Sequence, residues 1–158
     1  MMPLSRITKR EQIENVNQHI HDQYFSLSEL SYEPTTRMLR IPFEAEDRSQ
    51  AMGPWYQYFC KRWRFKVFKH VLEIQHVESH RIDDSANISS YTFDAINLTV
   101  NGRTLTISAC EDLQIILEID KLDIAIFRTN EYLGIRSVLA IFGCELSAQN
   151  WFEPAKRR

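Results

Sequence analysis

The chain has 158 residues, 44% of them hydrophobic and 25% charged, which is typical of a globular protein that folds as a single domain. Its 19 Lys and Arg against 21 Asp and Glu give a net charge of −2, so no overall attraction draws it to nucleic acid or an anionic membrane. The first residues lack the apolar core of a signal peptide, and no apolar run approaches the roughly 18 residues of a membrane span. We therefore expect a cytoplasmic protein that does not enter a membrane.

A helix is predicted near the N-terminus, over residues 8–22. Thr8 and Glu11 have the spacing of a capping box, in which each side chain satisfies a free backbone amide of the first turn. The apolar residues that follow are three or four positions apart and form one stripe: Ile13, Val16, Ile20 and Tyr24.

The next segment predicts a turn, a short strand and a loop. Pro34 fixes φ and places a turn at residues 33–36, and the apolar run 38–41 is typical of a short strand. Residues 44–54 have no periodicity and end in Gly-Pro, so we expect a loop there. An extended segment rich in Val, Phe and Ile then continues to Val77.

A β-hairpin over 94–109 is the clearest structural signal. Apolar and polar residues alternate on both arms, and Asn101-Gly102 favours a two-residue type I′ turn, which needs positive φ at both central positions. A second tight hairpin is expected where residues 120–121 separate two further alternating runs. The residues predicted to point inward are Ile96, Leu98, Val100, Leu105, Ile107, Leu113, Ile115, Leu117, Leu122, Ile124 and Ile126.

The segment 130–143 is ambiguous. Apolar residues at helical spacing, with Asn130 as a cap and Gly143 as a stop, favour a C-terminal helix, although 138–142 also fits a buried strand. With the helix preferred, the predicted fold class is α+β. It consists of an antiparallel meander of about five to seven strands, sandwich-like or an open barrel, with a helix near each end.

Aromatic and basic residues are concentrated between positions 55 and 70, where no acidic residue occurs. Trp, Tyr and Arg are the residue types most enriched at the energetic centres of protein interfaces. The sequence therefore predicts a surface that binds a partner protein, with self-association left open. Its candidate residues are Trp55, Tyr56, Tyr58, Arg62, Trp63 and Arg64.

Other interpretations of this aromatic and basic run compete with partner binding. It could stack the bases of single-stranded nucleic acid, although the near-neutral net charge disfavours that. It could also be core, with its basic residues lying across a strand from the acidic stretch 111–123.

A second candidate site is His76-x-Glu78-x-His80. On a continuous strand alternate residues share a face, so the three side chains would project together and could bind zinc or act in acid–base catalysis. In the alternative interpretation the three side chains have no functional role and form the solvent-facing polar end of a strand.

No other pattern indicates catalysis or a cofactor. Cys60, Cys110 and Cys144 are widely spaced and fit neither a disulfide framework nor a metal motif. No phosphate-binding glycine loop or nucleophile motif is present. The sequence therefore favours a non-enzymatic binding protein without a cofactor, with a metal-dependent or acid–base enzyme as the alternative.

Overall fold

A computed structural model describes residues 3–142 and 144–155 of the chain. Within them the fold is mostly antiparallel β-sheet, with one short α-helix and two single 3₁₀ turns near the N-terminus. The elements in chain order are β1 Ser5–Ile7, α1 Ile13–Ile20, β2 Tyr24–Phe25, β3 Ser31–Glu33, β4 Met38–Gln57, β5 Cys60–Ile74, β6 Val77–Asp84, β7 Tyr91–Leu98, β8 Thr104–Ala109, β9 Leu113–Ile119, β10 Ile124–Ile141 and β11 Cys144–Pro154.

The chain divides into two compact units. Unit 1 comprises the stretch up to Phe43 together with His70–Arg128, and unit 2 comprises Glu44–Lys69 together with the stretch from Thr129 onward. The boundaries fall inside or at the ends of β-strands rather than in linkers, so the prediction of a single domain stays a prediction.

Unit 1 is built on an antiparallel Greek key. β7, β8 and β9 form the predicted meander, and β6 pairs with the far side of β9. The period-2 pattern of the sequence is confirmed here, because Ile96, Leu105, Ile107, Leu113, Ile115 and Leu117 are all buried.

The predicted N-terminal helix exists but is shorter than 8–22. The α-helix covers Ile13–Ile20 and follows a 3₁₀ turn, Arg10–Gln12. Its apolar stripe is buried as expected. The amide of Asn17 bonds both backbone groups of Ile96 in β7, accepting from N–H at 2.8 Å and donating to C=O at 3.2 Å. The helix thus supplies hydrogen bonds that a neighbouring strand would otherwise provide.

The turn of the first hairpin differs from the type I′ prediction. Only Gly102 has positive φ, and its N–H bonds the Thr99 carbonyl, so Val100 and Asn101 are the central turn residues. Val100, predicted to point inward, is 91% exposed, and Leu98 is only half-buried. A type I turn followed by a left-handed glycine is a common longer hairpin connection.

Two further predictions for the middle of the chain were wrong. Residues 44–54, expected to form a loop, belong to the long strand β4. The expected hairpin between 113–119 and 122–126 does not form, because β9 pairs with β8 and β6 while the start of β10 pairs with β1. The first error arises because residues 44–54 form a strand without apolar alternation, and the second because local patterns reveal extended structure better than they reveal its partners.

The C-terminal helix is the main error in the predicted fold class. Residues 130–141 continue strand β10, so within the described residues only one α-helix exists, near the N-terminus. The expected stop, Gly143, lies outside the described residues. The fold is therefore mainly antiparallel β rather than α+β, and its strands outnumber the five to seven that were predicted.

Unit 2 is a four-stranded sheet in the order β4-β5-β10-β11. Its outer strands, β4 and β11, are three strand spacings apart, or about 14 Å across a flat sheet. Arg48 of β4 reaches Glu145 of β11 across this width, with 3.1 Å between Nη2 and Oε2. We call the face of the unit 2 sheet that carries this pair the inner face and the opposite one the outer face.

Ile107 and Val100 were both predicted to point inward, but the first is buried and the second is exposed. This difference provides a test of the structure of the unit 1 hairpin. Ile107 is 1% exposed, so Ile107→Ala should lower the free energy of unfolding by about 2–5 kcal/mol through lost burial and a cavity. Val100→Ala should change it by less than about 0.5 kcal/mol. Urea unfolding measures both, and equal losses would contradict the observed turn.

A second test concerns the hydrogen-bonded carboxylate that closes the β6–β7 connection. The Tyr91 hydroxyl donates to Asp84 Oδ2 at 2.7 Å, and the backbone N–H of Asn87 donates to Asp84 Oδ1. These two hydrogen bonds hold the pKa of Asp84 below its usual value. A carboxylate with a lowered folded-state pKa stabilises the fold above its unfolded pKa, and this contribution is lost as the pH falls through the folded pKa.

Tyr91→Phe should therefore raise the pKa of Asp84 and weaken the loss of stability on acidification. Carboxyl NMR titration and urea unfolding at neutral and acid pH measure the two effects. Tyr32→Phe is the control, because the Tyr32 hydroxyl bonds a backbone carbonyl of Val77 instead of a carboxylate. An unchanged Asp84 titration in Tyr91→Phe would contradict the assigned cause.

Candidate functional site

The most site-like feature of the described residues is a group of exposed aromatic side chains in unit 2, which we call the aromatic tip. Four of them come from the hairpin that joins β4 to β5, and the fifth follows β10. The members and their exposed fractions are Trp55 48%, Tyr56 69%, Tyr58 94%, Phe59 80% and Phe142 86%. Phe59 and Phe142 stack with their ring centroids 6.2 Å apart, which connects the two hairpins.

Two residues of the aromatic tip have an unfavourable backbone conformation. Tyr58 has φ of 56° and Phe142 has φ of 50°, both in the left-handed region. Glycine or asparagine usually occupies such turn positions, and a bulky side chain there costs about 1–2 kcal/mol. Strained residues that are also highly exposed are more typical of binding surfaces than of structural turns.

A shallow pocket of about 420 Å³ lies beside the aromatic tip, lined by Trp55, Tyr56, Arg62 and Arg64. We call it the arginine pocket. Arg64 is paired with Glu153 at 2.7 Å. Arg62 donates to the buried Ser137 hydroxyl at 3.0 Å, and within the described part of the chain it has no carboxylate partner. The pocket therefore combines two aromatic walls with one arginine whose charge is not neutralised.

The structure separates the predicted partner-binding residues into exposed and partly buried ones. Trp55, Tyr56 and Tyr58 are exposed, and Arg62 and Arg64 line the pocket, whereas Trp63 is only half-exposed. Phe59 and Phe142 were not among the predicted site residues. Phe59 lies in the same aromatic run and could have been included, but Phe142 was assigned to a helical stripe and the sequence carried no signal for its position.

The alternative that placed this run in the core opposite the acidic stretch 111–123 is not supported. Both neighbours of β9, which contains most of that stretch, are strands of unit 1, namely β8 and β6. Only part of the run is core, since Phe65 is 5% exposed and Val67 is fully buried.

The premise of the His76, Glu78 and His80 site does not hold, because the strand is interrupted. His76 has φ of 61° and lies between β5 and β6, and the pairing of β6 with β9 is irregular between Val77 and Ser79. His80 packs against the Tyr32 ring, with centroids 4.8 Å apart. Within residues 3–142 and 144–155, no group of three or more His, Cys, Asp or Glu residues could hold a metal ion.

Glu78 instead interacts with a second carboxyl group. A hydrogen bond with Asp120 raises the pKa of Glu78, and the same bond together with Arg37 lowers the pKa of Asp120. Arg37 Nη1 lies 2.6 Å from Asp120 Oδ2. Glu78 is therefore the more readily protonated of the two carboxyl groups, and the arginine favours charge on Asp120. This cluster is on the surface of unit 1.

The inner face of the unit 2 sheet carries a buried charge network. Arg136 of β10 is 2% exposed and contacts Glu44 at 3.1 Å and Glu46 at 3.5 Å. Arg48 pairs with Glu46 and Glu145 and also lies over the Phe65 ring. These contacts join β4, β10 and β11, so the network stabilises the sheet whose hairpins carry the aromatic tip.

No helix among the described residues is long and apolar enough to cross a lipid bilayer. No protein-family model, curated protein or solved structure significantly matches this chain.

The buried network predicts a large effect of removing Arg136. Arg136→Ala leaves the buried Glu46 with fewer partners and should lower the free energy of unfolding by about 3–5 kcal/mol. Arg81→Ala, which breaks an exposed pair with Asp83, should cost less than about 1 kcal/mol. Urea unfolding measures both changes.

A double variant separates charge from packing. Arg136→Met with Glu46→Gln removes both charges but keeps most of the volume, so it should recover at least half of the loss seen in Arg136→Ala. If Arg136→Met alone recovered as much stability as the double variant, the loss in Arg136→Ala would have to come from packing rather than from an unpaired buried charge.

Proposed function

We propose that this protein is a non-enzymatic binding module that docks a partner protein on the aromatic tip. The observation that carries this proposal is the exposure of five aromatic side chains at the ends of two adjoining hairpins of unit 2. Exposed large aromatics cost solubility unless a partner covers them, and clustered patches of this kind are typical of interaction sites.

The chemistry of the aromatic tip suits an interface centre. Aromatic rings bury a large area on binding while losing few side-chain rotamers, and arginine adds directional hydrogen bonds. Lys61 lies with its Nζ 5.7 Å from the Tyr56 ring centroid, so a basic residue borders the apolar patch. A hydrophobic centre bordered by charge is the common anatomy of transient interfaces.

Strain in the turns supports the same proposal. Replacing Tyr58 by glycine would relieve backbone strain and remove an exposed aromatic ring in one step. A binding surface gives a reason for an exposed aromatic ring at a position where glycine would be less strained.

The proposal is tested with the full-length chain and a tip variant. Partners enriched from the organism's own cells are purified, and their affinities are measured for the wild type and for Trp55→Ala with Phe59→Ala. Loss of two central aromatics should weaken binding by at least about 30-fold. Val100→Ala is the matched control, because Val100 is an exposed apolar residue of unit 1.

Circular dichroism and urea unfolding establish that the tip variant remains folded. Since both substituted side chains are exposed, its stability should be close to that of the wild type. If every native partner bound the folded tip variant as tightly as the wild type, the proposal would be wrong.

A further inference from the structure

We propose that the arginine pocket binds a carboxylate, so that the partner presents an acidic segment in which an apolar residue lies two positions from an Asp or Glu. This inference rests on the proposed function and specifies the chemistry of the partner. It assigns Arg62 as the main anion-binding residue and Trp55 and Tyr56 as the walls for an adjoining apolar side chain.

The state of Arg62 is the first argument. Its guanidinium lies in a pocket and donates one hydrogen bond to Ser137, and the described part of the chain supplies no carboxylate to neutralise it. Other arginines of unit 2 that the structure describes, Arg48, Arg64 and Arg136, all have a carboxylate partner. A guanidinium presents a planar fork of donors that fits a carboxylate in bidentate geometry, so Arg62 has capacity for an external anion.

The shape of the pocket is the second argument. Two aromatic rings and two guanidinium groups bound about 420 Å³, which accommodates one or two side chains rather than a folded surface. In an extended segment, side chains two positions apart lie on the same face, so an acid and an apolar residue at that spacing both face the pocket. A carboxylate can then reach Arg62 while the next side chain on that face contacts Trp55 or Tyr56.

The charge distribution favours an acidic peptide over nucleic acid. Basic residues 61, 62, 64, 66 and 69 occur without an acid between them, but Glu153 already neutralises Arg64 at 2.7 Å. The phosphates of a nucleic acid repeat at regular intervals, so their binding needs several cations in a row. Glu153 would repel a phosphate that lay beside it. A short acidic segment needs only the local positive charge at Arg62.

Because Glu153 pairs with Arg64, the inference predicts that one substitution raises the affinity for an acidic ligand and another lowers it. Glu153 competes with an incoming carboxylate for Arg64, so Glu153→Gln should increase affinity for an acidic ligand several-fold. A mutation that only damaged the surface would reduce affinity. Arg62→Gln should have the opposite effect and reduce affinity by about tenfold or more, the loss expected when a charged hydrogen bond is removed.

The probe is a short fluorescein-labelled peptide in which Leu or Phe lies two positions from Glu or Asp, and its matched control replaces every acid by the corresponding amide. Fluorescence anisotropy with the full chain should give at least about tenfold tighter binding of the acidic peptide. Arg62→Gln should abolish that preference. Arg81→Gln, an exposed arginine of unit 1 paired with Asp83, should leave it unchanged.

Several outcomes would overturn the inference. The first is equal affinity of the chain for the acidic and amide peptides. The second is an affinity for single-stranded oligothymidine that exceeds the affinity for the acidic peptide and is lost in Arg62→Gln. The third is concentration-dependent self-association in sedimentation that Arg62→Gln abolishes. The second would identify nucleic acid as the ligand, and the third would identify another copy of the chain.

The failure of this inference can be told apart from that of the proposed function. If purified partners depend on Trp55 and Phe59 but not on Arg62 or on competition by the acidic peptide, the aromatic tip binds a partner and the carboxylate chemistry is wrong. If partners are insensitive to the aromatic substitutions as well, the proposed function is wrong.

Discussion

Backbone pairing along β10 is the constraint on which the rest of the structure depends. Its residues Ile124–Ile126 pair with β1, residues Gly134–Ile141 pair with β11, and its other edge adjoins β5. A buried backbone amide or carbonyl without a partner costs about as much as a lost hydrogen bond, so a strand flanked on both edges must stay extended along its length. The position of Arg136 on the inner face, within reach of Glu44 and Glu46, follows from that extension.

The same strand explains where sequence patterns succeed and where they fail. In β7–β9 one face is apolar and the other polar, so alternation predicted the buried positions, and Ile96 and Ile107 are examples. In β10, Arg136 and Ser137 are both buried, which breaks the alternation and leaves the apolar residues at helix-like spacing. Gly134 has φ of 150°, which no helix accommodates, but a sequence does not reveal the dihedral angle of a glycine. Strand partners could not be predicted either, since β6 and β9 meet through contacts between distant parts of the chain.

The composition of the candidate site was visible in the sequence, but its exposure was not. Phe59 and Phe65 are the same residue type, six positions apart in one aromatic run, and they are 80% and 5% exposed. What separates them is their distance from the turn at Tyr58 and the contact of Phe65 with Arg48 on the inner face. Phe142 reaches the aromatic tip from a second hairpin, which is a consequence of strand order and cannot be inferred from local pattern.

Arg62 differs from the other arginines that the structure describes in unit 2, and this contrast supports a binding role for the pocket. Arg136 and Arg48 are matched to Glu44, Glu46 and Glu145 on the inner face, and Arg64 is paired with Glu153. At the pocket, Arg62 is left with a hydroxyl partner beside aromatic rings that are themselves uncovered. An arginine in this state does little for folding, because a surface charge contributes little to stability even when it is paired. Its desolvation beside Trp55 and Tyr56 would, however, strengthen its attraction for an incoming carboxylate, because the interaction grows as water is excluded. The combination of an unneutralised arginine and exposed rings is therefore poorly explained by stability and well explained by a ligand that covers both.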